Sequence, residues 1–65
     1  DGLTVIARLV AILPEVLAEH GLAVLEIGSD QEAGVERLVA ALPGDWNCSV
    51  ERDLAGLPRT ARIER

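Results

Sequence analysis

Residues 22–27 read LAVLEI, a short apolar run that contains one charged residue, Glu26, and lies between Gly21 and Gly28. A run of this length bounded by glycines is typical of a β-strand buried on both faces, as in a parallel sheet. A parallel strand needs a neighbour of the same kind, and no second run of this character occurs in the sequence. The sequence therefore predicts that the partner strands precede Asp1 in a longer parent protein.

Helical periodicity precedes this run. From Thr4 to Glu19 the apolar residues recur every three or four positions, which predicts one apolar helical face made of Val5, Ile6, Leu9, Ile12, Leu13, Val16 and Leu17. Pro14 lacks an N–H and crowds the preceding turn, so it predicts a kink or a restarted helix. His20 and Gly21 predict the helix end, with Gly21 left-handed and the imidazole near the negative end of the helix dipole.

A second helix is predicted after the run. Ser29 and Glu32 have the spacing of a capping box, which indicates a helix that begins at Ser29. Pro43-Gly44 predicts its end. Between these points one helical face is apolar and consists of Val35, Leu38, Val39 and Leu42.

After Pro43-Gly44 the apolar period changes from helical to alternating. Trp46, Cys48 and Val50 alternate with polar residues, which predicts a strand with one buried face. Residues 54–58 predict a turn. A last strand follows at residues 59–65, with Ala61 and Ile63 on one side and Thr60, Arg62 and Glu64 on the other.

The predicted order is therefore helix, strand, helix, strand, strand. This order predicts an α/β fold in which residues 1–65 form a single segment, the C-terminal α-β-α-β-β portion of a larger sheet. The apolar content of 49% is high for 65 residues. It agrees with a piece of a larger protein or with an oligomer, because so short a chain buries little of its own surface.

Composition excludes several classes of function. The net charge of −5 disfavours direct nucleic-acid binding, because binders of the phosphate backbone normally carry a basic face. One cysteine cannot form an internal disulfide, and one cysteine with one histidine does not make a zinc site. The sequence has no signal-peptide pattern and no apolar run long enough to span a membrane. These features predict a cytoplasmic location without a membrane partner.

The turn after Gly28 is a candidate cofactor loop that the residues disfavour. Such loops need several glycines for close approach of the backbone to the ligand, whereas Asp30 and Glu32 stand two and four positions after Gly28. We predict a plain strand-to-helix connection. Glu26 is the more promising residue, because a carboxylate in a buried strand either faces a pocket or pairs with an arginine.

The remaining reactive side chains have ordinary structural interpretations. His20 is interpreted as a helix-end residue and Cys48 as an inert core thiol. Arg52-Asp53 could bind an anion, and a surface pair is the favoured interpretation. The residues therefore identify no catalytic, cofactor-binding or metal-binding side chain, and Glu26 is the one candidate substrate-facing residue.

Several of these residues, in this order, resemble the C-terminal end of the HemK/PrmC methyltransferases. The resemblance spans essentially the whole chain and is carried by Asp1-Gly2-Leu3, His20-Gly21, Leu25-Glu26-Ile27-Gly28 with Gln31, and Arg52-Asp53-Leu54 with Gly56 and Arg59. That family consists of class I enzymes that use S-adenosylmethionine to methylate the glutamine side chain of a Gly-Gly-Gln motif in peptide-chain release factors. The resemblance implies a bacterial protein methyltransferase that acts in translation termination.

The resemblance also implies a place in the fold. It corresponds to the fifth strand, its flanking helices and the final two-stranded antiparallel edge of a seven-stranded Rossmann-like sheet. The Gly-rich cofactor loop and the Asn-Pro-Pro-Tyr motif of the family lie upstream. S-adenosylmethionine and the release factor are therefore expected to bind the full-length parent, with Asp1-Gly2-Leu3 nearest the active-site side and no cofactor bound to this segment alone.

The sequence also departs from the family. The turn after Asp53-Leu54 is usually polar in the family, whereas Leu57-Pro58 stands here. The last strand of the family is usually more apolar than residues 60–64. Two alternatives remain open: a non-catalytic interaction domain that completes its sheet by forming a homodimer, and a class I methyltransferase for a small molecule or nucleic acid.

Overall fold

The computed structural model describes residues 2–65. Two helices and three strands follow one another as α1 Gly2–Val16, β1 Leu22–Glu26, α2 Glu32–Ala40, β2 Asn47–Arg52 and β3 Pro58–Glu64. The strands form an antiparallel sheet in the order β1-β3-β2. The predicted order of elements and the small α/β fold are therefore confirmed.

The last strand in the sequence lies in the middle of the sheet. Six apolar side chains share the face covered by the helices and form two rows across the strands: Ala23, Ile63 and Cys48, then Leu25, Ala61 and Val50. Ala61 and Ile63 of β3 are fully buried. The alternation predicted for β2 and β3 is confirmed, because successive side chains of a strand point to opposite faces.

β1 differs from the predicted strand with two buried faces. It lies at the sheet edge and pairs within residues 2–65 only with β3, to which it is antiparallel. Leu22 and Val24 lie on the face away from the helices, and Val24 is 53% exposed. Because helices cover only one face of the described sheet, the continuous apolar run does not give two buried faces here. A parallel neighbour for β1 stays a prediction.

The helices supply the other half of the core. α2 packs against β2 and β3, and α1 packs against α2. The buried helical side chains are Ile6, Val10 and Leu13 of α1 and Val35 and Val39 of α2. Gly34 of α2 allows this approach, since a Cβ there would lie 3.0 Å from both Cδ atoms of Leu3.

α1 carries two apolar faces, and only one of them is buried. The outward face consists of Val5, Leu9, Ile12 and Val16, all of them exposed, with Val16 at 66%. The four positions follow a helical spacing of four, three and four residues, so they form one stripe along the helix. The prediction of a single apolar face is therefore wrong for four of its seven residues.

The end of α1 also differs from the prediction. The helix passes Pro14 without restarting and ends at Val16, after which the Leu17 N–H still donates to the Leu13 carbonyl at 2.9 Å. The left-handed residue is His20, with φ of 64°, and not Gly21. Gly21 is needed for another reason, because a Cβ there would lie 2.6 Å from the Leu17 Cγ atom.

Arg65 takes the place at the helix end that we predicted for His20. His20 lies beyond the last helical turn, whereas Nη1 of Arg65 donates to the carbonyls of Pro14, at 3.1 Å, and Leu17, at 2.7 Å. The same guanidinium lies over the Trp46 ring, 5.0 Å from its centroid. A cation from the end of the chain therefore stabilises the C-terminus of the first helix.

The capping box predicted at Ser29 is wrong. Ser29 and Asp30 form a turn, and α2 begins at Glu32. The residue before the helix is Gln31, which makes no side-chain capping hydrogen bond to the helix. The Gln31 side chain bonds instead to the strand end, as described below.

The core prediction concerns Ile63, which is fully buried at the centre of the sheet. Ile63→Val removes one methylene where the surroundings cannot fully relax, and we expect the free energy of unfolding to fall by about 0.5–1.5 kcal/mol. Urea unfolding followed by Trp46 fluorescence measures this change. Val24→Ala on the exposed face is the control, expected within about 0.5 kcal/mol of the unsubstituted chain. Equal losses for both variants would contradict the assigned core.

Candidate functional site

β1 and β2 end at the same edge of the sheet, because both are antiparallel to β3. Glu26 of β1 and Glu51 of β2 lie opposite the same residue, Thr60. The Ile27 N–H continues the pairing by donating to the Arg59 carbonyl at 2.9 Å. We call residues 26–32 and 51–60 the carboxyl edge. Ligands of open α/β sheets collect at such an edge, so this is the candidate functional site.

The turn that follows β1 is closed by its own residues. The Gly28 N–H donates to Oε1 of Gln31 at 2.7 Å, and the Gln31 N–H donates to the Gly28 carbonyl at 3.0 Å. The backbone donor that could face a phosphate is thus engaged within the turn. This supports the interpretation of residues 28–31 as a strand-to-helix connection. The sequence signal for it is a glutamine three positions after the glycine.

Arg52, at the end of β2, ties the hairpin to α2. Its Nη2 donates to both carboxylate oxygens of Glu32, at 2.7 and 2.9 Å, and its Nη1 donates to the Gly56 carbonyl at 3.2 Å. The interpretation of Arg52-Asp53 as a pair is wrong, because the two side chains bond to different partners. The Arg52 side chain is 49% exposed, so the ion pair contributes about 0–1 kcal/mol.

Asp53 organises the loop between β2 and β3. Its Oδ1 accepts from the N–H groups of Ala55, at 2.9 Å, and Leu57, at 3.0 Å, and its Oδ2 accepts from Nε of Arg59 at 2.7 Å. The Asp53 N–H donates to the Leu57 carbonyl at 2.9 Å, and Gly56 has the φ of 83° that favours glycine. The hydrogen bond from Arg59, followed by that from Leu57, lowers the pKa of Asp53.

The loop that Asp53 organises presents only apolar residues to water. The four residues between Asp53 and Pro58 are Leu54, Ala55, Gly56 and Leu57, and all of them are exposed. We call them the 54–57 loop. The Leu54 side chain is fully exposed, whereas Pro58, at the start of β3, is buried.

Glu26, the residue predicted to face a pocket or pair with an arginine, lies at the carboxyl edge. It is exposed on the face away from the helices. Its carboxylate forms no ion pair with another residue in the range 2–65. The pairing alternative is therefore not observed in the described part of the chain, and the substrate-facing role stays a prediction.

A hollow of about 450 Å³ adjoins the carboxyl edge between the starts of the two helices. Gly2 and Leu3 line it on one side, and Asp30, Gln31 and Arg37 line it on the other. Asp1 lies outside the described residues. Of the stretch Asp1-Gly2-Leu3, which is expected beside the active site, only Gly2 and Leu3 can therefore be placed. A second hollow, of about 340 Å³, contains His20 and Trp46 at the opposite end of the molecule.

Cys48 lies half-buried on the helix-covered face. Burial, followed by the charges of Glu36 and Glu32, raises the pKa of its thiol, which keeps the sulfur protonated and poorly nucleophilic. This supports the interpretation as a core thiol. Residues 2–65 contain no group of three or more histidine, cysteine or acidic side chains that could hold a metal ion. No helix in this range has the length and apolar character needed to cross a membrane.

Comparison with protein families, with curated proteins and with solved structures finds no match to this chain. The functional interpretation therefore depends on the carboxyl edge and on the sequence motifs that form it.

The turn prediction concerns Gln31. Gln31→Ala leaves the half-buried Gly28 N–H without its acceptor, and we expect the free energy of unfolding to fall by about 0.5–1.5 kcal/mol. Gln31→Glu retains an acceptor oxygen at the same reach and is the matched control, expected close to the unsubstituted chain. Urea unfolding measures both variants. An alanine variant as stable as the glutamate variant would contradict the role of this bond.

The loop prediction concerns the pH dependence of stability. Because the pKa of Asp53 is lower in the folded chain than in the unfolded chain, its carboxylate stabilises the fold above the unfolded pKa of about 3.9. This contribution is lost as the pH falls through the folded pKa. We expect Asp53→Asn to lower Tm at pH 7 and to have a smaller effect as the pH falls below about 4.

Thermal unfolding followed by circular dichroism at a series of pH values measures this difference. Asp45→Asn is the control, because the Asp45 side chain is exposed and forms no hydrogen bond within residues 2–65. A Tm difference between Asp53→Asn and the unsubstituted chain that stays constant from neutral to strongly acidic pH would contradict the stabilising role of the carboxylate.

Proposed function

We propose that this chain is the C-terminal part of the catalytic domain of a HemK/PrmC-type methyltransferase that methylates the glutamine of the Gly-Gly-Gln motif in peptide-chain release factors. One observation carries the proposal: two of the stretches that give the resemblance, at residues 26–31 and 52–59, also build the carboxyl edge. Gly28 and Gln31 close the turn after β1. Asp53 and Arg59 order the loop after β2. A substrate site at this edge would need both segments in fixed positions.

The sheet topology supports the same proposal. The antiparallel pair β2 and β3 lies beside β1, with both helices on one face, as expected for the fifth strand and the final antiparallel edge of a Rossmann-like sheet. β1 has no partner on its other edge among the described residues, and an exposed apolar edge strand invites further pairing. In the proposed parent, upstream parallel strands pair with β1 and cover the outward stripe of α1.

The division of chemistry follows from this placement. S-adenosylmethionine and the groups that hold the glutamine amide belong to the upstream part of the parent, because the family's cofactor and Asn-Pro-Pro-Tyr motifs are absent from these 65 residues. The carboxyl edge borders the substrate side, where Glu26 is the proposed substrate-facing residue. A parent that modifies release factors acts in the cytoplasm.

Methyl transfer by the full-length parent tests the proposal. The parent is incubated with radiolabelled S-adenosylmethionine and a release factor, and the label is expected on the glutamine of the Gly-Gly-Gln motif. A release factor with that glutamine replaced by alanine is the control and should stay unlabelled. The 65-residue chain alone is expected to transfer no label and to bind no cofactor in calorimetry.

Two results would contradict the proposed function. One is label on a small molecule or on nucleic acid in place of the release factor, which would assign the parent to another class of methyltransferase. The other is a parent gene that encodes no Gly-rich loop and no Asn-Pro-Pro-Tyr sequence before Asp1.

The outward stripe of α1 favours a second candidate, a non-catalytic interaction domain that forms a homodimer. Its four exposed residues, together with the free edge of β1, could be covered by another copy of the chain. Sedimentation of the 65-residue chain separates the two candidates. A folded monomer at concentrations up to about 100 µM would exclude a dimer of ordinary strength.

A further inference from the structure

The 54–57 loop has a composition that closing a hairpin does not require. The bonds that close it use backbone groups of Ala55, Gly56 and Leu57 and the side chain of Asp53, and none uses a side chain of the loop itself. Polar residues at positions 54, 55 and 57 could make the same bonds. Runs of exposed consecutive apolar residues are unfavourable in water and are kept where they have a function.

The loop is ordered before any partner arrives. Asp53 accepts two backbone N–H groups from within the loop, and Arg52 donates to the Gly56 carbonyl. Arg59 in turn holds Asp53 from the first residues of β3. A segment already fixed in this way loses little conformational entropy when it binds, which favours its affinity for a partner.

The charges beside the loop disfavour two kinds of partner. The Arg52 guanidinium is paired with Glu32 and the Arg59 guanidinium with Asp53, so the loop stands between two neutralised pairs. The chain as a whole carries a net charge of −5. Nucleic acid and anionic membranes both attract uncompensated basic groups. An apolar hollow on a protein surface fits the loop better.

We propose that the 54–57 loop docks the protein substrate by inserting Leu54 and Leu57 into an apolar hollow on its surface, away from the glutamine that is methylated. This inference rests on the proposed function, because the substrate is taken to approach the carboxyl edge. Leu54 is the anchor, since its side chain has no contact to lose within the chain. Asp53 and Arg59 are positioning residues that hold the anchor in place.

The test uses the full-length parent with Leu54→Asp, a substitution at a fully exposed position that should not unfold the chain. We expect KM for the intact release factor to rise about tenfold or more, which corresponds to about 1.4 kcal/mol of lost binding. The value of kcat and the KM for S-adenosylmethionine should stay within about twofold. Leu54→Met, which keeps an apolar side chain of similar volume, should restore KM to within about twofold.

Two controls make the test specific. Asn47→Asp adds the same charge at the opposite end of β2 and is expected to leave KM unchanged. A short Gly-Gly-Gln peptide lacks the folded surface of the release factor, so its KM should not respond to Leu54→Asp. A smaller rise in KM with Asp53→Asn, again for the intact release factor alone, would support the positioning role.

Three outcomes would overturn the inference. An unchanged KM for the intact release factor excludes docking by Leu54, and an equal rise for the short peptide assigns the residue to the glutamine site. Sedimentation of the parent with phosphatidylcholine vesicles that is lost in Leu54→Asp would assign the loop to a membrane. A parent that labels no release factor contradicts the proposed function itself. That failure is seen with the unsubstituted enzyme, before any Leu54 variant is measured.

Discussion

The fold depends on the position of β3 between β1 and β2. The two outer strands do not pair with each other, so every hydrogen bond of the three-stranded sheet involves the last strand of the chain. The fully buried side chains of Ile63 and Ala61 both lie on this strand. Arg65, which follows it, donates to carbonyls at the end of α1. α2 therefore lacks part of its packing surface until β3 is in place, and α1 packs on α2. The pairing of β1 with β3 joins residues distant in sequence, and such contacts form more slowly than local ones.

Periodicity predicted the type and order of the elements because it is a local property. The alternation around Cys48 and Ile63 required a sheet with one covered face, and the structure has that sheet. Two of the failures lie where a residue distant in sequence decides the structure. Nothing in the spacing around His20 indicates that Arg65 occupies the helix end, and the run at residues 22–27 does not reveal that β1 lies at an edge within residues 2–65. Single-sequence patterns identify apolar residues but not how many layers are present to bury them.

The two halves of the candidate site, the turn after β1 and the loop after β2, are predictable from the sequence to different degrees. Counting glycines is enough to interpret the turn after Gly28 as a connection. The spacing of Ser29 and Glu32 predicts a capping box that does not form, and the longer Gln31 side chain bonds to the end of the strand. Residues 54–58 predict a turn, but that prediction does not include its organisation by Asp53. An aspartate at the start of a loop commonly bonds to the N–H two residues on, as Asp53 does to Ala55, and that signal was available in the sequence.

The exposed apolar surfaces of this chain fall into two kinds, and the backbone distinguishes them. Along β1 the outward N–H and C=O groups have no strand to pair with inside residues 2–65. The exposed side chains of Leu22 and Val24 therefore belong to a strand whose hydrogen bonding is incomplete on one edge. Covering that surface completes secondary structure, which points to additional strands. In the 54–57 loop the N–H groups of Ala55, Gly56 and Leu57 are already bonded, so no further strand is called for. Apolar side-chain surface stays exposed there, and a protein surface with a matching hollow can bury it without adding a strand.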